Sequence, residues 1–190
     1  MKRTISLLLI LLPSLFLFSQ STTDSNPKGK STVYFTRAKS SGFLINFTYF
    51  DGEKSIGKFN GLKYMKYECD PGKHLFWARS ENKSFVEADL KPGGIYIIDV
   101  IPRIGGIKPS VKLMPVDKND YKLKKIQKLV SGQGPQMFDE SQLTELQNEM
   151  SEVITRGMEK YKQLKEKGKK ILQLKPEMTV TEEDLIFKKK

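Results

Sequence analysis

Between residues 32 and 116 the chain runs as short apolar stretches, each cut off by turn chemistry. The breaks are Asp51-Gly52, Asn60-Gly61, Asp70-Pro71-Gly72, Glu81-Asn82-Lys83 and Pro92-Gly93-Gly94. Proline presets φ and glycine accepts positive φ, so these positions turn the chain tightly. Asp-Gly between alternating runs is a strong hairpin signal. No stretch here is long enough for a crossover helix, so a parallel βαβ architecture is excluded. The spacing predicts strands over 33–37, 43–50, 55–59, 62–69, 74–80, 84–90, 95–101 and 111–114.

Alternation within these runs assigns faces. Phe43, Ile45, Phe47 and Tyr49 share one, as do Met65, Tyr67 and Cys69, and Leu75 and Trp77. The 95–101 run is apolar almost throughout, as befits a strand covered on both sides. The expected core contains Ile45, Phe47, Tyr67, Leu75, Trp77, Tyr96, Ile98 and Val100. Burying each such side chain contributes on the order of 1.5–3 kcal/mol. The expected fold is mostly β: an antiparallel β-sandwich, immunoglobulin/transthyretin-like, of about seven or eight strands over 32–116.

Composition changes after Pro115, where a helical extension is expected over 117–190. A short helix would run from Asn119 or Asp120 to Val130, stopped by Ser131-Gly132. A longer one would start near Asp139 or Ser141 and end at Gly168, about 40 Å long at roughly 1.5 Å per residue. Its apolar positions include Leu143, Leu146, Met150, Val153, Met158 and Tyr161, spaced to form one stripe. These six are the candidate partner-binding residues, for an envelope protein or a second copy of the chain. Gly157 interrupts the stripe. A segment over 171–174 is read as an apolar turn or an edge strand, and a last short helix is capped by Thr181.

The first 21 residues have a different character. Lys2-Arg3 precedes an apolar run ending at Phe18, followed by Ser19-Gln20-Ser21. That order is the pattern of a secretory signal peptide, with cleavage expected near Ser21. Pro13 and the shortness of the run argue against a spanning helix, which needs roughly 20 apolar residues. Residues 22–31 form a flexible lead-in. The expected location is therefore the periplasm or cell envelope, and nucleic acid is not an expected partner.

Several chemistries are excluded by count. His74 is the only histidine, which rules out multi-histidine metal sites and limits any triad. Cys69 is the only cysteine, so no disulfide forms within the chain, and within an alternating strand it reads as a small buried residue. No catalytic residue, metal ligand or cofactor site is assigned. The net charge of +11 invites contact with an anionic envelope polymer, glycan or lipid, although the lysines are scattered along the sequence. The leading expectation is a non-enzymatic exported interaction module that binds through a sheet edge or the helical stripe. A basic protein that binds anionic glycan or lipid is one alternative, and a hydrolase is another.

Five segments carry a family resemblance. Val33-Tyr34-Phe35-Thr36-Arg37 forms an opening strand ending in arginine. Phe50-Asp51-Gly52-Glu53-Lys54 with Ile56-Gly57 forms a hairpin, followed by Gly61-Leu62-Lys63-Tyr64. Asp70-Pro71-Gly72-Lys73-His74 and the stretch from Leu90 to Tyr96 complete the set. In order and spacing, 32–100 resembles the bacterial domain-of-unknown-function family numbered twenty-eight forty-six, found in exported proteins and lipoproteins. The resemblance implies a small β-sandwich in the cell envelope and supplies no catalytic residue. No cysteine follows the leader, so a lipid anchor is not expected.

Overall fold

The computed structural model describes residues 29–42, 44–103 and 109–187. The expected leader, most of the lead-in, Phe43, the Gly105-Gly106 loop and the 188–190 tail lie outside the described residues.

Eight strands follow the turn punctuation closely. They are β1 (Ser31–Thr36), β2 (Phe47–Asp51), β3 (Lys54–Phe59), β4 (Tyr64–Cys69), β5 (Gly72–Arg79), β6 (Lys83–Leu90), β7 (Ile95–Arg103) and β8 (Ser110–Val116). Gly52 and Gly61 take φ of 55° and 76°, the left-handed region that their turns require. Helices α1 (Leu123–Gly132), α2 (Glu140–Glu149) and α3 (Ser151–Glu166) follow, then β9 (Leu172–Leu174) and α4 (Glu182–Leu185).

The strands form two sheets, ordered β4-β1-β7-β8 and β3-β2-β5-β6-β9. Neither is wholly antiparallel, which corrects the expectation from sequence. β1 pairs parallel with β7, and β6 pairs parallel with β9. The cause is connectivity. Hairpins make antiparallel neighbours, but β7 returns to lie beside β1 only after the chain has crossed through the other sheet. Alternation reports which residues share a face and carries no information on the direction of non-consecutive neighbours.

The inner faces meet in one core, as in a β-sandwich. It joins Val33, Phe35, Tyr96, Ile98 and Leu113 of one sheet to Phe47, Tyr49, Phe76, Val86 and Leu174 of the other. The outer faces are covered too. On the four-stranded sheet, Tyr34, Tyr64, Ile97 and Val116 pack beneath Leu123 and Ile126 of α1 and Leu185 of α4. On the five-stranded sheet, Phe50, Trp77 and Phe85 pack beneath Leu146 of α2, Met150, and Val153 and Ile154 of α3. The layers run helix, sheet, sheet, helix.

Of the expected core, Phe47, Trp77, Tyr96, Ile98 and Val100 are fully buried. Ile45, Tyr67 and Leu75 are half-buried. Trp77 lies on the outer face, under the helices, with its ring stacked 3.8 Å from that of Phe50. The long helix is divided at Met150 into α2 and α3. Asp139 opens α2 with a capping box that includes Gln142, and Thr181 opens α4 with one that includes Asp184.

Most of the candidate partner-binding stripe packs against the chain's own sheet. Leu146, Met150 and Val153 are buried there, with Met158 and Tyr161 half-buried against the same cluster. Leu143 is half-buried beside the β2–β3 hairpin. A stripe at helical spacing demands a cover, and here the outer aromatic face of β2, β5 and β6 supplies it.

Candidate functional site

His74 is the side chain most suited to acid–base work, and its surroundings oppose its use as a base. Nδ1 lies 2.8 Å from Asp51 Oδ2, and Nε2 lies 2.8 Å from the Asp70 carbonyl oxygen. Tyr67 donates its hydroxyl to the same Asp51 oxygen at 3.1 Å. Both ring nitrogens face acceptors, so both must carry protons, and the ring is an imidazolium with no lone pair to offer. The hydrogen bond to Asp51 is the first cause that raises its pKa, to about 10. The group fastens the β2–β3 turn to the start of β5.

Arg37, which closes the opening-strand motif, is also fully buried. Its guanidinium donates to the carbonyls of Ile45, at 2.6 Å, and Gly42, and lies 4.4 Å from the centre of the Phe47 ring. It therefore ties Gly42 and Ile45 to the end of β1. Cys69 is buried and free, as a small core residue would be. Glu87 anchors the helical layer: it accepts from Tyr161 at 2.6 Å, Lys165 at 2.8 Å and Gln173. These donors, Lys165 first, lower its pKa to about 2.

A different arrangement appears where the β5–β6 hairpin meets α3. Arg79 and Lys83 face each other across the hairpin. Lys83, Arg156 and Lys160 line a cleft of about 330 Å³ with Glu81, Glu159 and Gln163. Burial, then the charges of Arg156, Arg79 and Lys160, push the Lys83 ammonium below its ordinary pKa. Among the described residues, none of Arg79, Lys83 and Lys160 forms an ion pair with an acid. Arg156 reaches Glu152 at 3.6 Å, in a pair that is largely exposed.

No family model, curated protein or solved structure matches the chain. Function therefore has to be argued from the chemistry of its sites.

Basic residues continue in the sequence beyond the cleft. From 156 to 170 there are seven basic residues against Glu159 and Glu166. Lysines at the end of α3 also complement the helix dipole, which accounts for their position but not for Arg79 and Lys83. Sequence reasoning read the lysines as scattered. The missed signal was the pairing of a hairpin flanked by cations, Arg79 and Lys83, with Arg156 and Lys160 at helical i, i+4 spacing. Only the docking of α3 on the Trp77 face brings the two together. Arg79 and Lys83 are half-buried and Arg156 and Lys160 exposed; the four like charges repel one another, Glu81 and Glu159 offset part of that repulsion, and an anion at the cleft would relieve more of it.

Proposed function

We propose that this is a non-enzymatic exported cell-envelope protein that binds an anionic envelope polymer on the surface around Arg79, Lys83, Arg156 and Lys160. The carrying observation is the convergence of these four cations around Lys83, whose pKa is lowered first by burial and then by the charges of Arg156, Arg79 and Lys160. The leader pattern supports export. The engagement of both His74 nitrogens supports a binding role over a catalytic one. In the same reading, the two-sheet body is an immunoglobulin/transthyretin-like sandwich related to the exported family that its five motifs resemble. Leu146, Met150 and Val153 of the apolar stripe are buried against the chain's own sheet, which favours the cationic surface over the stripe as the binding face.

The test is retention of the purified protein on polygalacturonate beads and on vesicles containing anionic lipid, over a salt gradient. Exposed charge is screened over about 8–10 Å near physiological salt, so elution should move sharply with ionic strength. The variants Arg79→Gln/Lys83→Gln and Arg156→Gln/Lys160→Gln should each elute at lower salt than the parent. The two matrices separate a glycan from a lipid source. Equal retention of both double variants and the parent would refute the assignment.

A further inference from the structure

At the end of the sandwich where β1 stops, two crossovers run side by side from one sheet to the other. Residues 37–46 lead from β1 to β2, and residues 60–63 lead from β3 back to β4. β1 neighbours β4 in one sheet and β2 neighbours β3 in the other, so the two connections are adjacent. The Arg37 N–H joins them by donating to the Lys63 carbonyl at 2.9 Å. Each crossover presents a leucine to solvent: Leu44 is 73% exposed and Leu62 is 45% exposed. The Arg37 guanidinium grips the Gly42 and Ile45 carbonyls on either side of Leu44, and the Ile45 N–H donates to the Gly42 carbonyl at 3.0 Å. A buried charge is costly, and here its hydrogen bonds go to the turn that exposes a leucine. Leu62 follows Gly61, and its carbonyl accepts from the Gln133 side chain at 2.7 Å. Neither crossover contains an acid. Lys39 and Lys63 lie on them, and Arg103 stands at the same end, because β7 runs parallel to β1 and continues beyond its last residue. Among the described residues none of these three cations forms an ion pair. Lys39 shares a cleft with Asp99, so Lys63 and Arg103 carry the charge argument. Glu81, on the β5–β6 hairpin, lies at this end too and offsets part of the charge.

We propose that this end docks on an anionic lipid surface, with Leu44 and Leu62 entering the boundary between headgroups and acyl chains and with Lys63 and Arg103 facing the lipid phosphates. Apolar tips flanked by cations match that layering, in which negative charge overlies hydrocarbon. A polysaccharide would answer the cations and leave the leucines in water. A second copy meeting the same end would set Lys63 and Arg103 against like charges. A bilayer answers both features at once. The inference concerns residues separate from the cationic cleft at α3 and does not rest on it.

Sedimentation of the purified protein with vesicles provides the test, using phosphatidylcholine alone and an equal mixture of phosphatidylcholine and phosphatidylglycerol. The mixture should bind the protein, and phosphatidylcholine alone should bind it more weakly by about tenfold or more. Leu44→Gln/Leu62→Gln and Lys63→Gln/Arg103→Gln should each weaken binding to the mixture by about tenfold. Circular dichroism and a thermal melt establish that each variant folds; Leu44, Leu62 and Arg103 are exposed and Lys63 is half-buried, so none is a core position. A further variant, Leu44→Trp, reports depth. Its added indole should shift to the blue on the mixed vesicles and be quenched by brominated acyl chains, whereas Trp77 lies buried beneath the helices. Adsorption through the α3 cleft alone would leave the added indole unquenched. The proposal is overturned if the protein binds neither vesicle, if it binds both equally, if either folded double variant binds like the parent, or if the added indole is not quenched. None of these outcomes alters retention on polygalacturonate beads, so this inference and the reading of the α3 cleft fail separately.

Discussion

Asn82 and Val111 are joined by a reciprocal pair of hydrogen bonds: the Asn82 amide donates to the Val111 carbonyl at 2.8 Å, and the Val111 N–H donates to Asn82 Oδ1 at 2.7 Å. Val111 belongs to β8, the outer strand of its sheet, while Asn82 sits in the β5–β6 turn of the other sheet. The side chain thus imitates a neighbouring strand. Ser84 extends the imitation by accepting from the Leu113 N–H at 2.9 Å. Gln147 of α2 does the same for β3, accepting from Ser55 N–H at 2.7 Å and donating to the Glu53 carbonyl at 2.9 Å. Unpaired outer strands invite pairing with other chains. Here backbone groups of Val111 and Leu113 in β8, of Ser55 in β3 and of Glu53 just before it are occupied, which removes those positions from strand-addition binding.

Asn82→Ala should therefore destabilise the fold by about 1–3 kcal/mol, because two buried backbone groups lose their partners together. It should also lower the temperature at which aggregates appear, by freeing the β8 edge. Urea denaturation measures the first effect and light scattering during heating the second. An unchanged urea midpoint would show that water replaces the amide at no cost.

Much of this frame was legible in the sequence. Turn residues such as Asp51-Gly52 and Asp70-Pro71-Gly72 announce themselves through local chemistry, and eight strands fall between them. Asp139 and Thr181 likewise mark helix starts by a capping interaction three residues long. Long-range relationships were not legible. Nothing local tells β7 to lie parallel to β1, or tells Leu146 and Met150 that their cover is Trp77. The cationic cleft was hidden for the same reason, since Lys83 and Arg156 are brought together only by helix docking.

Gly157 shows how an apparent flaw in a pattern becomes a fit. In sequence it interrupts the apolar stripe, but in the structure a Cβ placed on it would lie 2.5 Å from the Trp77 ring. Its bare backbone lets α3 settle on the indole. Intrinsic propensity favours alanine over glycine in a helix by about 1 kcal/mol, yet the contact with Trp77 should dominate. Gly157→Ala is expected to lower stability by about 1–3 kcal/mol and to alter Trp77 fluorescence, as measured by chemical denaturation. A more stable variant would mean that α3 does not sit against the ring.

Asp99 gives a pH dependence of one sign. Its folded pKa, raised to about 6 by burial, exceeds the ordinary carboxylate value. The folded state therefore binds the proton more tightly than the unfolded state does. This group's contribution to stability should fall as pH rises from about 4 to 6 and stay level above that. Asp99→Asn removes the buried charge, so the variant should gain stability relative to the parent across that window, as measured by thermal melts at successive pH values. A difference between the two that does not change with pH would contradict the raised pKa.

His74 works in the opposite direction at the other end of the scale. Its ring is stacked nearly parallel to that of Phe76, with centres 5.3 Å apart, and donates from both nitrogens to Asp51 and the Asp70 carbonyl. Because only the imidazolium can make both bonds, the folded pKa rises to about 10, against roughly 6.5 for a free histidine. A raised cation pKa contributes stability that is fully present below about pH 6.5 and is lost as pH climbs to about 10. The difference in melting temperature between the parent and His74→Gln should thus be largest and constant in acid, then shrink across that interval. Proton NMR of the imidazole provides a direct reading: its Cε1–H resonance should keep the protonated position at pH 8, where an ordinary histidine has already titrated. A midpoint near 6.5 would show that Nε2 is free to take up and release a proton, and would return His74 to the list of groups able to do chemistry.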